Sequence, residues 1–392
     1  MITKFDSSYV GTVDMENLGY LGTPINERWY SNEQLAGALH KSVAYAKKMD
    51  SLGYDTFWMA EHHFQPEGTE CIPNLLMLAM HLVNQTRHLK IGCGFNVVPM
   101  WHPLRLAEDY AVADILSNGR VIFGVARGYH TREVETFGSP LSDQEANREM
   151  FEEGVDLVFK AFNEERFSHK GRFYTCPPEV PYRGYTLKEI SLVPRPQRLP
   201  VECWQPIQSG SARAFDFMAK HGISGVIGGG SAEGGAVDRH MTGFREAYAR
   251  RGIELQPGEK LALGYQFRIA ESREAAMRAA ATAYEENMKM FGELRLVRAI
   301  TEEQIAAMRN PALVANTKLP RIEDAVRAGG FLAGTPADII EQLKAVEKRY
   351  PGLERISCAM PLGTPLAVTL EQLDRFANEV MPAFKQMKAA AD

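Results

Sequence analysis

Helical and extended patterns alternate along the chain. Between residues 31 and 52, apolar side chains recur every three or four positions, which predicts an amphipathic helix. Ser31 and Gln34 have the spacing of a capping box at its start, and Gly53 ends it. Residues 54–60, which follow, are rich in aromatic and other β-forming side chains and predict a strand.

Eight strands of this kind can be traced, nearly every one followed by a helix. They are expected at residues 4–10, 54–60, 89–98, 120–126, 201–206, 222–227, 261–269 and 355–360. Strands separated by helices imply right-handed βαβ units and a parallel sheet. We therefore predict an α/β fold, a TIM (β/α)₈ barrel with insertions, in which residues 1–392 form one domain; a doubly wound open sheet is the alternative.

Two segments depart from the alternation. Residues 167–200 are rich in Pro, Gly, Tyr and Arg, which predicts an excursion with a small hairpin around Lys170 and Gly171. Residues 291–330 contain one capped helix, starting at Thr301, inside otherwise irregular sequence. A connection of this length is either a lid over a site or a packed surface excursion.

Composition narrows the class of protein. The chain has 44 Lys and Arg against 49 Asp and Glu, a formal net charge of −5, which argues against nucleic acid or an acidic membrane as the main partner. No stretch approaches the ~18 apolar residues of a membrane span, and the first ten residues lack the apolar core of a secretory signal. The five cysteines form no CxxC pair, which is typical of reduced thiols. We expect a soluble, cytoplasmic protein.

In a (β/α)₈ barrel the active site is built from strand ends and the loops after them. The first such cluster is Glu61-His62-His63-Phe64. Adjacent side chains at a strand end point to opposite sides, so both imidazoles cannot face one metal ion, and no HxH or HExxH spacing is present. We therefore predict no metal site and one inward histidine for acid–base chemistry. The alternative is that these side chains only satisfy one another at the barrel rim.

A second cluster, Gly92-Cys93-Gly94-Phe95-Asn96, lies at the next strand end. Glycines there let the backbone approach a ligand closely, and Asn96 offers both amide donors and an acceptor to a planar molecule. A crowded barrel interior that needs small residues is the alternative.

Two further clusters are candidates for binding a phosphate. Arg127, at the end of the strand 120–126, has a guanidinium fork that matches phosphate oxygens; a salt bridge to a rim carboxylate is the alternative. The sequence Ser209-Gly210-Ser211 opens a helix with free N–H groups, where an ordinary N-cap is the alternative. No GxGxxG or P-loop pattern stands at a strand-to-helix junction, so a Rossmann site has little support.

Three stretches resemble the bacterial luciferase-like flavin monooxygenases. They are residues 53–68 (GYDTFWMAEHHFQPEG), 99–109 (PMWHPLRLAED) and 116–138 (LSNGRVIFGVARGYHTREVETFG). The resemblance covers most of the chain and is strongest over 50–140. It implies a TIM-like barrel that takes reduced FMN from a separate flavin reductase, forms a C4a-(hydro)peroxyflavin with O₂ and oxygenates a small organic substrate. The family also implies a homodimer.

The resemblance implies a role for each cluster. His62 matches the inward histidine beside the flavin, and Arg127 matches the arginine that pairs the FMN phosphate. The strand end at Gly94 matches the place where backbone, often with a non-proline cis peptide, lies against the isoalloxazine. The other expected cofactor contacts are Phe95, Asn96, Gly128, Tyr129, Ser209, Gly210, Ser211, Gly228 and Gly229.

The sequence departs from two general patterns. Barrels commonly bind phosphate after strands 7 and 8, whereas this family uses the loops after strands 4 to 6; Arg127 and the helix start at Ser209 favour the family's arrangement. Light-emitting α subunits carry a cysteine where this chain has Ala126, so we expect a non-luminous enzyme.

Four aromatic side chains are predicted to line a substrate pocket. They are Phe64, Trp101, Trp204 and Phe267, which favour an apolar or aromatic substrate, although aromatics at barrel ends also serve packing. Two alternative functions share the fold: an oxidoreductase that transfers hydride with the deazaflavin F420, and a non-catalytic flavin-binding relative. The intact His62 argues against the second.

Overall fold

The computed structural model describes residues 1–208, 210–228, 235–297 and 299–385. Its centre is a barrel of eight parallel strands: β1 Lys4–Tyr9, β2 Thr56–Met59, β3 Lys90–Cys93, β4 Val121–Ala126, β5 Cys203–Pro206, β6 Ser224–Gly228, β7 Leu261–Ile269 and β8 Arg355–Ala359. Each strand pairs with the next along the chain, β4 pairs with β5, and β8 pairs with β1 to close the barrel. The predicted TIM (β/α)₈ fold is therefore confirmed.

Helices surround the barrel. They are α1 Asn32–Leu52, α2 Leu75–Val83, α3 Pro103–Leu116, α4 Thr131–Thr136, α5 Gln144–Asn163, α6 Ala212–His221, α7 Ala236–Ala249, α8 Arg273–Glu293, α9 Glu302–Arg309, α10 Ile322–Arg327, α11 Pro336–Arg349, α12 Leu366–Arg375 and α13 Pro382–Lys385. The predicted capping box of α1 is present between Ser31 and Gln34, and Gly53 ends the helix in the left-handed region. Thr301 and Gln304 form the same box at the start of α9. Both boundary predictions are confirmed.

The insertions contain more regular structure than the sequence predicts. The hairpin expected near Lys170 is present, with His169–Lys170 paired to Thr175–Cys176. Residues 291–330, expected to hold one helix, also contain α10 and a 3₁₀ turn at Pro311–Asn316. These elements are six residues long, too short for an apolar period to show against their polar neighbours.

A further parallel strand, Phe331–Gly334, was also missed. It pairs with the second half of β7, whereas β8 pairs with the first half. All four of its residues are buried, so it lacks the polar–apolar alternation that identifies a half-exposed strand. This strand extends the barrel wall on the side where the 291–330 insertion rejoins the barrel.

A buried ion cluster ties the loop after β1 to α8. The Glu286 carboxylate lies 3.2 Å from Arg28 Nη2 and 2.8 Å from Lys289 Nζ, and all three side chains are at most 3% exposed. Glu286 also accepts the backbone N–H of Gly19, and Lys289 donates to the Gly19 and Thr23 carbonyls. Because buried charges are stable only when paired and hydrogen-bonded, this cluster fixes the loop against the helix that leads into the insertion.

Candidate active site

Two neighbouring cavities lie at the carboxyl ends of the strands. The first, of about 620 Å³, is bounded by residues that follow β2, β3, β4 and β5. The second, of about 880 Å³, is bounded by the opposite strand ends and by α8. Four residues line both cavities: Phe95, Pro206, Ile207 and Gln208. The two spaces therefore meet at the ends of β3 and β5.

The first cavity gathers most of the predicted cofactor residues. Those that line it are His62, Gly94, Phe95, Arg127, Gly128, Tyr129 and Gly210. Asn96 is fully buried beside them and donates to the Gly124 carbonyl at 2.9 Å, while Gly228 lines the second cavity instead. Ser209 and Gly229 lie outside the described residues.

Backbone forms much of the wall of the first cavity. The peptide between Gly94 and Phe95 is cis, at the strand end where the resemblance implied such a bond. Gly128 has a φ of +81°, and a Cβ there would come within 2.7 Å of the Val134 side chain. Gly210 has a φ of +61°, and a Cβ there would lie 2.5 Å from the His240 ring. At both positions a side chain would adopt a strained backbone conformation and crowd a neighbouring side chain, which favours glycine.

Arg127 projects a cation into the first cavity without a carboxylate partner. Its Nε donates to Asn147 Oδ1 at 2.9 Å, and Nη2 donates to Gln144 Oε1 at 3.0 Å. Burial and the nearby Arg148 lower the pKa of its guanidinium, although an arginine stays charged at neutral pH. No ion pair of Arg127 occurs among the described residues, so the rim salt bridge considered as an alternative is not what positions it.

The start of α6 borders the same cavity. The Ser211 side chain caps the helix by accepting the N–H of Ala214, and Gly210 lines the cavity directly. A helix N-terminus beside an unpaired arginine is a favourable place for an anion. Because Ser211 already serves as an ordinary N-cap, its contact with a phosphate stays a prediction.

His62 lies between two buried carboxylates. Its Nδ1 is 3.2 Å from Glu133 Oε1, and its Nε2 is 3.0 Å from Glu70 Oε1 and 3.1 Å from the Tyr129 hydroxyl. Burial by itself lowers the pKa of His62, but the negative charges of Glu70 and Glu133 outweigh it and raise this pKa above its usual value. The two carboxylates therefore favour the form of His62 that carries a proton on both ring nitrogens.

Glu61 braces the opposite side of the same strand end. It accepts the N–H of Val97 at 2.7 Å and Nε1 of Trp101 at 2.9 Å, and it lies 3.0 Å from Nε2 of His63. The side chains of His62 and His63 thus meet different partners, as the alternation of side chains at a strand end requires. Trp101, predicted to line a substrate pocket, instead donates a hydrogen bond to Glu61.

The structure brings together a cluster that sequence spacing did not reveal. Ligand-type atoms of His62, Glu70 and His130, from three separate segments, lie within 4.8 Å of one another. The prediction of no metal site rested on the adjacent histidines and on the lack of HxH or HExxH spacing, and neither criterion detects residues this far apart in the sequence. Its members are joined by direct hydrogen bonds, with His130 Nε2 at 3.0 Å from Glu70 Oε2. Hydrogen bonding accounts for their positions.

Within the described residues, none of the four predicted pocket aromatics lines either cavity. Phe64 is 49% exposed and lies against Phe137. Trp204 is buried inside the barrel against Trp58, and Phe267 is buried under Phe376. Phe64, Trp204 and Phe267 therefore contact other side chains of the protein and not a cavity.

The second cavity has a mostly apolar wall. Its apolar side chains include Met288, Phe291, Leu296, Met360 and Leu362. Polar groups on its wall include Lys41, Tyr265, Gln266 and Asn287. Residues of the 291–330 insertion form one side, so this space lies between the barrel mouth and the insertion.

Comparison with known proteins identifies the family. The family model for luciferase-like monooxygenases matches residues 18–351. The chain belongs to this family. It is accordingly an oxidoreductase with flavin-dependent relatives, as the resemblance of the three sequence stretches implied.

Two relatives illustrate the spread of this family. The oxygenase component of a flavin-dependent trigonelline monooxygenase from Acinetobacter baylyi is 26% identical over 341 residues, covering 86% of this chain and 88% of the relative. An alkanal monooxygenase alpha chain from the Kryptophanaron alfredi symbiont is 32% identical over 149 residues, covering 38% of this chain and 40% of the relative.

Solved structures share the fold at low sequence identity. The oxygenating constituent of 3,6-diketocamphane monooxygenase from Pseudomonas putida, in complex with FMN, aligns with a TM-score of 0.71 at 19% identity over 97% of this chain and 98% of that one. An F420-dependent secondary alcohol dehydrogenase aligns with a TM-score of 0.66 at 14% identity over 98% of this chain and all of that one.

The described part of the chain contains no helix long and apolar enough to cross a membrane.

Proposed function

We propose that this luciferase-like protein is a monooxygenase that uses reduced FMN and O₂ to oxygenate a small apolar or aromatic molecule. The proposal rests on two groups that border the same cavity. One is a cation without a carboxylate partner, and the other is a histidine held between two carboxylates. Arg127 supplies the first and His62 the second. The FMN complex of the diketocamphane enzyme and the flavin dependence of the trigonelline relative support this choice of cofactor.

The residues of the first cavity fit FMN. The phosphate would pair with Arg127 beside the start of α6, and the ring system would lie against the backbone of Gly94 and Gly128. Reduced flavin would supply the two electrons and the carbon centre at which oxygen is activated. His62 would place a positive charge next to this ring, and the apolar second cavity would hold the substrate.

We further propose that residues 291–330 act as a lid and that a separate flavin reductase supplies the reduced cofactor. Phe291, Leu296 and Ala325 of this segment form part of the wall of the second cavity. A cover at this place would exclude water from the reacting centre. A homodimer is proposed from the family alone.

Stopped-flow absorbance tests the oxygen chemistry directly. The purified protein is mixed without oxygen with reduced FMN, and oxygen is then admitted. We expect a transient absorbance that belongs to neither reduced nor oxidised FMN and that outlives its counterpart in free flavin. Reoxidation at the rate of free FMN would remove the monooxygenase proposal. The same experiment with reduced F420 distinguishes the hydride-transferring alternative, since that enzyme would bind F420 and consume no oxygen.

Replacing Arg127 with alanine is expected to weaken FMN binding far more than riboflavin binding. A hydrogen bond to a charged group contributes about 1.5–3 kcal/mol, which is a loss of roughly 10- to 150-fold in FMN affinity. Riboflavin lacks the phosphate, so its affinity should change little. Fluorescence titration measures both constants, and Arg105→Ala, on the exposed face of α3, is the matched control. Equal losses for the two ligands would remove the phosphate assignment.

A further inference from the structure

Two carboxylates that no sequence pattern identified hold the catalytic candidate from both sides. Glu70 follows the EHHF stretch by six residues, and Glu133 lies on α4. The side chains of both are 1% exposed, and that of His62 is 5% exposed. A buried imidazole with an acidic partner at each nitrogen is a specific arrangement, because each carboxylate is costly to bury without its own donors.

Glu133 fixes the proton at Nδ1. Its Oε1 also accepts the backbone N–H of His63 at 3.0 Å and Nε2 of Gln65 at 2.9 Å. Burial opposes the ionisation of Glu133, but the hydrogen bond and charge of His62, with further help from Gln65, lower the pKa of this carboxyl below its usual value. An ionised carboxylate only accepts hydrogen bonds, so Nδ1 must donate.

Glu70 acts on the other nitrogen. Its Oε1 lies 3.0 Å from His62 Nε2 and accepts the Tyr129 hydroxyl at 3.0 Å, while its Oε2 lies 3.0 Å from His130 Nε2. A lone pair on Nε2 would point at a carboxylate oxygen, which is unfavourable in a buried site. A proton on Nε2 converts that repulsion into a charge-assisted hydrogen bond.

The remaining neighbours do not offset these charges. Glu61 adds a third negative group nearby, and it is held by Trp101 and His63. The cation of Arg132 is bound to Glu67 at 2.7 Å. Burial raises the pKa of the Tyr129 hydroxyl, which therefore stays protonated, and His130 faces Glu70.

We propose that Glu70 and Glu133 are positioning residues that keep His62 as an imidazolium at neutral pH, so that it acts in the first cavity as a cation and not as a base. The protonation of His62 is set by its buried contacts in the cofactor-free protein, and only the catalytic consequence rests on the proposed function. A fixed positive charge beside the cavity stabilises negative charge that develops there without waiting for a proton from solvent.

Histidine NMR on the cofactor-free protein tests this inference. With ¹⁵N-labelled histidine, the His62 signals are assigned by their absence in His62→Gln and followed from pH 5 to pH 9. We expect both ring nitrogens of His62 to remain protonated at pH 7 and above, where a free imidazole is mostly neutral. Glu70→Gln and Glu133→Gln keep the side-chain shape, and each should move the His62 titration to lower pH. Glu67→Gln, which removes a nearby carboxylate bound to Arg132, should move it less than either.

Several results would overturn the inference. A wild-type His62 that is neutral at pH 7, or a titration that Glu70→Gln leaves unchanged, would show that the carboxylates do not control its charge. A stoichiometric metal ion retained by the purified protein, with no titration of His62, would also do so. If a glutamine variant does not fold, the wild-type titration alone decides. Because no flavin is present, the His62 titration can be interpreted even if the oxygen experiment contradicts the monooxygenase proposal.

Discussion

His62→Ala is expected to bind FMN with nearly unchanged affinity and to lose most of its capacity to oxygenate a substrate. The proposed phosphate contacts, Arg127 and the start of α6, lie at other strand ends and do not hydrogen-bond to the imidazole. Loss of a positioned donor or charge in an active site costs about 100-fold or more in rate. The measurement is oxygen consumed per turnover together with hydrogen peroxide released, which should rise as coupling fails.

A matched control separates this effect from a general loss of histidine. His88 is exposed, donates its backbone N–H to Asp50 and is not among the residues that line the first cavity, so His88→Ala should bind FMN and couple oxygen use as the parent protein does. Full coupling in His62→Ala would contradict the role assigned to His62. A simultaneous loss of FMN binding would show that the residue holds the cavity together.

Glu286→Ala is expected to lower the free energy of unfolding by about 3–5 kcal/mol. The substitution leaves Arg28 and Lys289 buried without their negative partner and leaves the Gly19 N–H without its acceptor. Uncompensated buried charge is among the largest single causes of destabilisation. Urea unfolding followed by circular dichroism measures the change.

The adjacent Glu285 provides the comparison for this prediction. Its carboxylate is only half-buried and accepts one N–H, from Tyr20, so Glu285→Ala should cost about 0.5–1.5 kcal/mol. Similar losses for the two variants would show that α8 tolerates the charges of Arg28 and Lys289. In that case the ion cluster would not be what fixes the loop after β1.

Local sequence signals, namely helix caps and short β-rich runs, were sufficient to predict the barrel. The start of α1 at Ser31 and its end at Gly53 follow from capping chemistry, and the eight strands follow from short β-rich runs between helices. The strand Phe331–Gly334 was missed because it is buried on both faces and borders irregular sequence. Its pairing with β7 is a long-range choice that no local pattern encodes.

The candidate site was predictable where a motif places its residues next to each other in the chain. His62, Gly94 and Arg127 were predicted because each follows closely after a strand, and all three line the first cavity. Glu70 and Glu133 could not, because their partner His62 lies 8 and 71 positions away in the sequence. For the aromatic residues, the prediction placed in a pocket side chains that pack elsewhere. A large side chain such as Phe267 can fill the core as well as line a pocket, and the sequence does not distinguish the two.

If the first cavity holds the cofactor and the second the substrate, as proposed, the two molecules contact largely different sets of side chains. Met288, Leu296 and Met360 line the second cavity and not the first, whereas Ile207 lines both. Laboratory evolution aimed at the first three positions would thus alter which molecules are accepted while leaving cofactor affinity intact. A change at Ile207 would trade one property against the other.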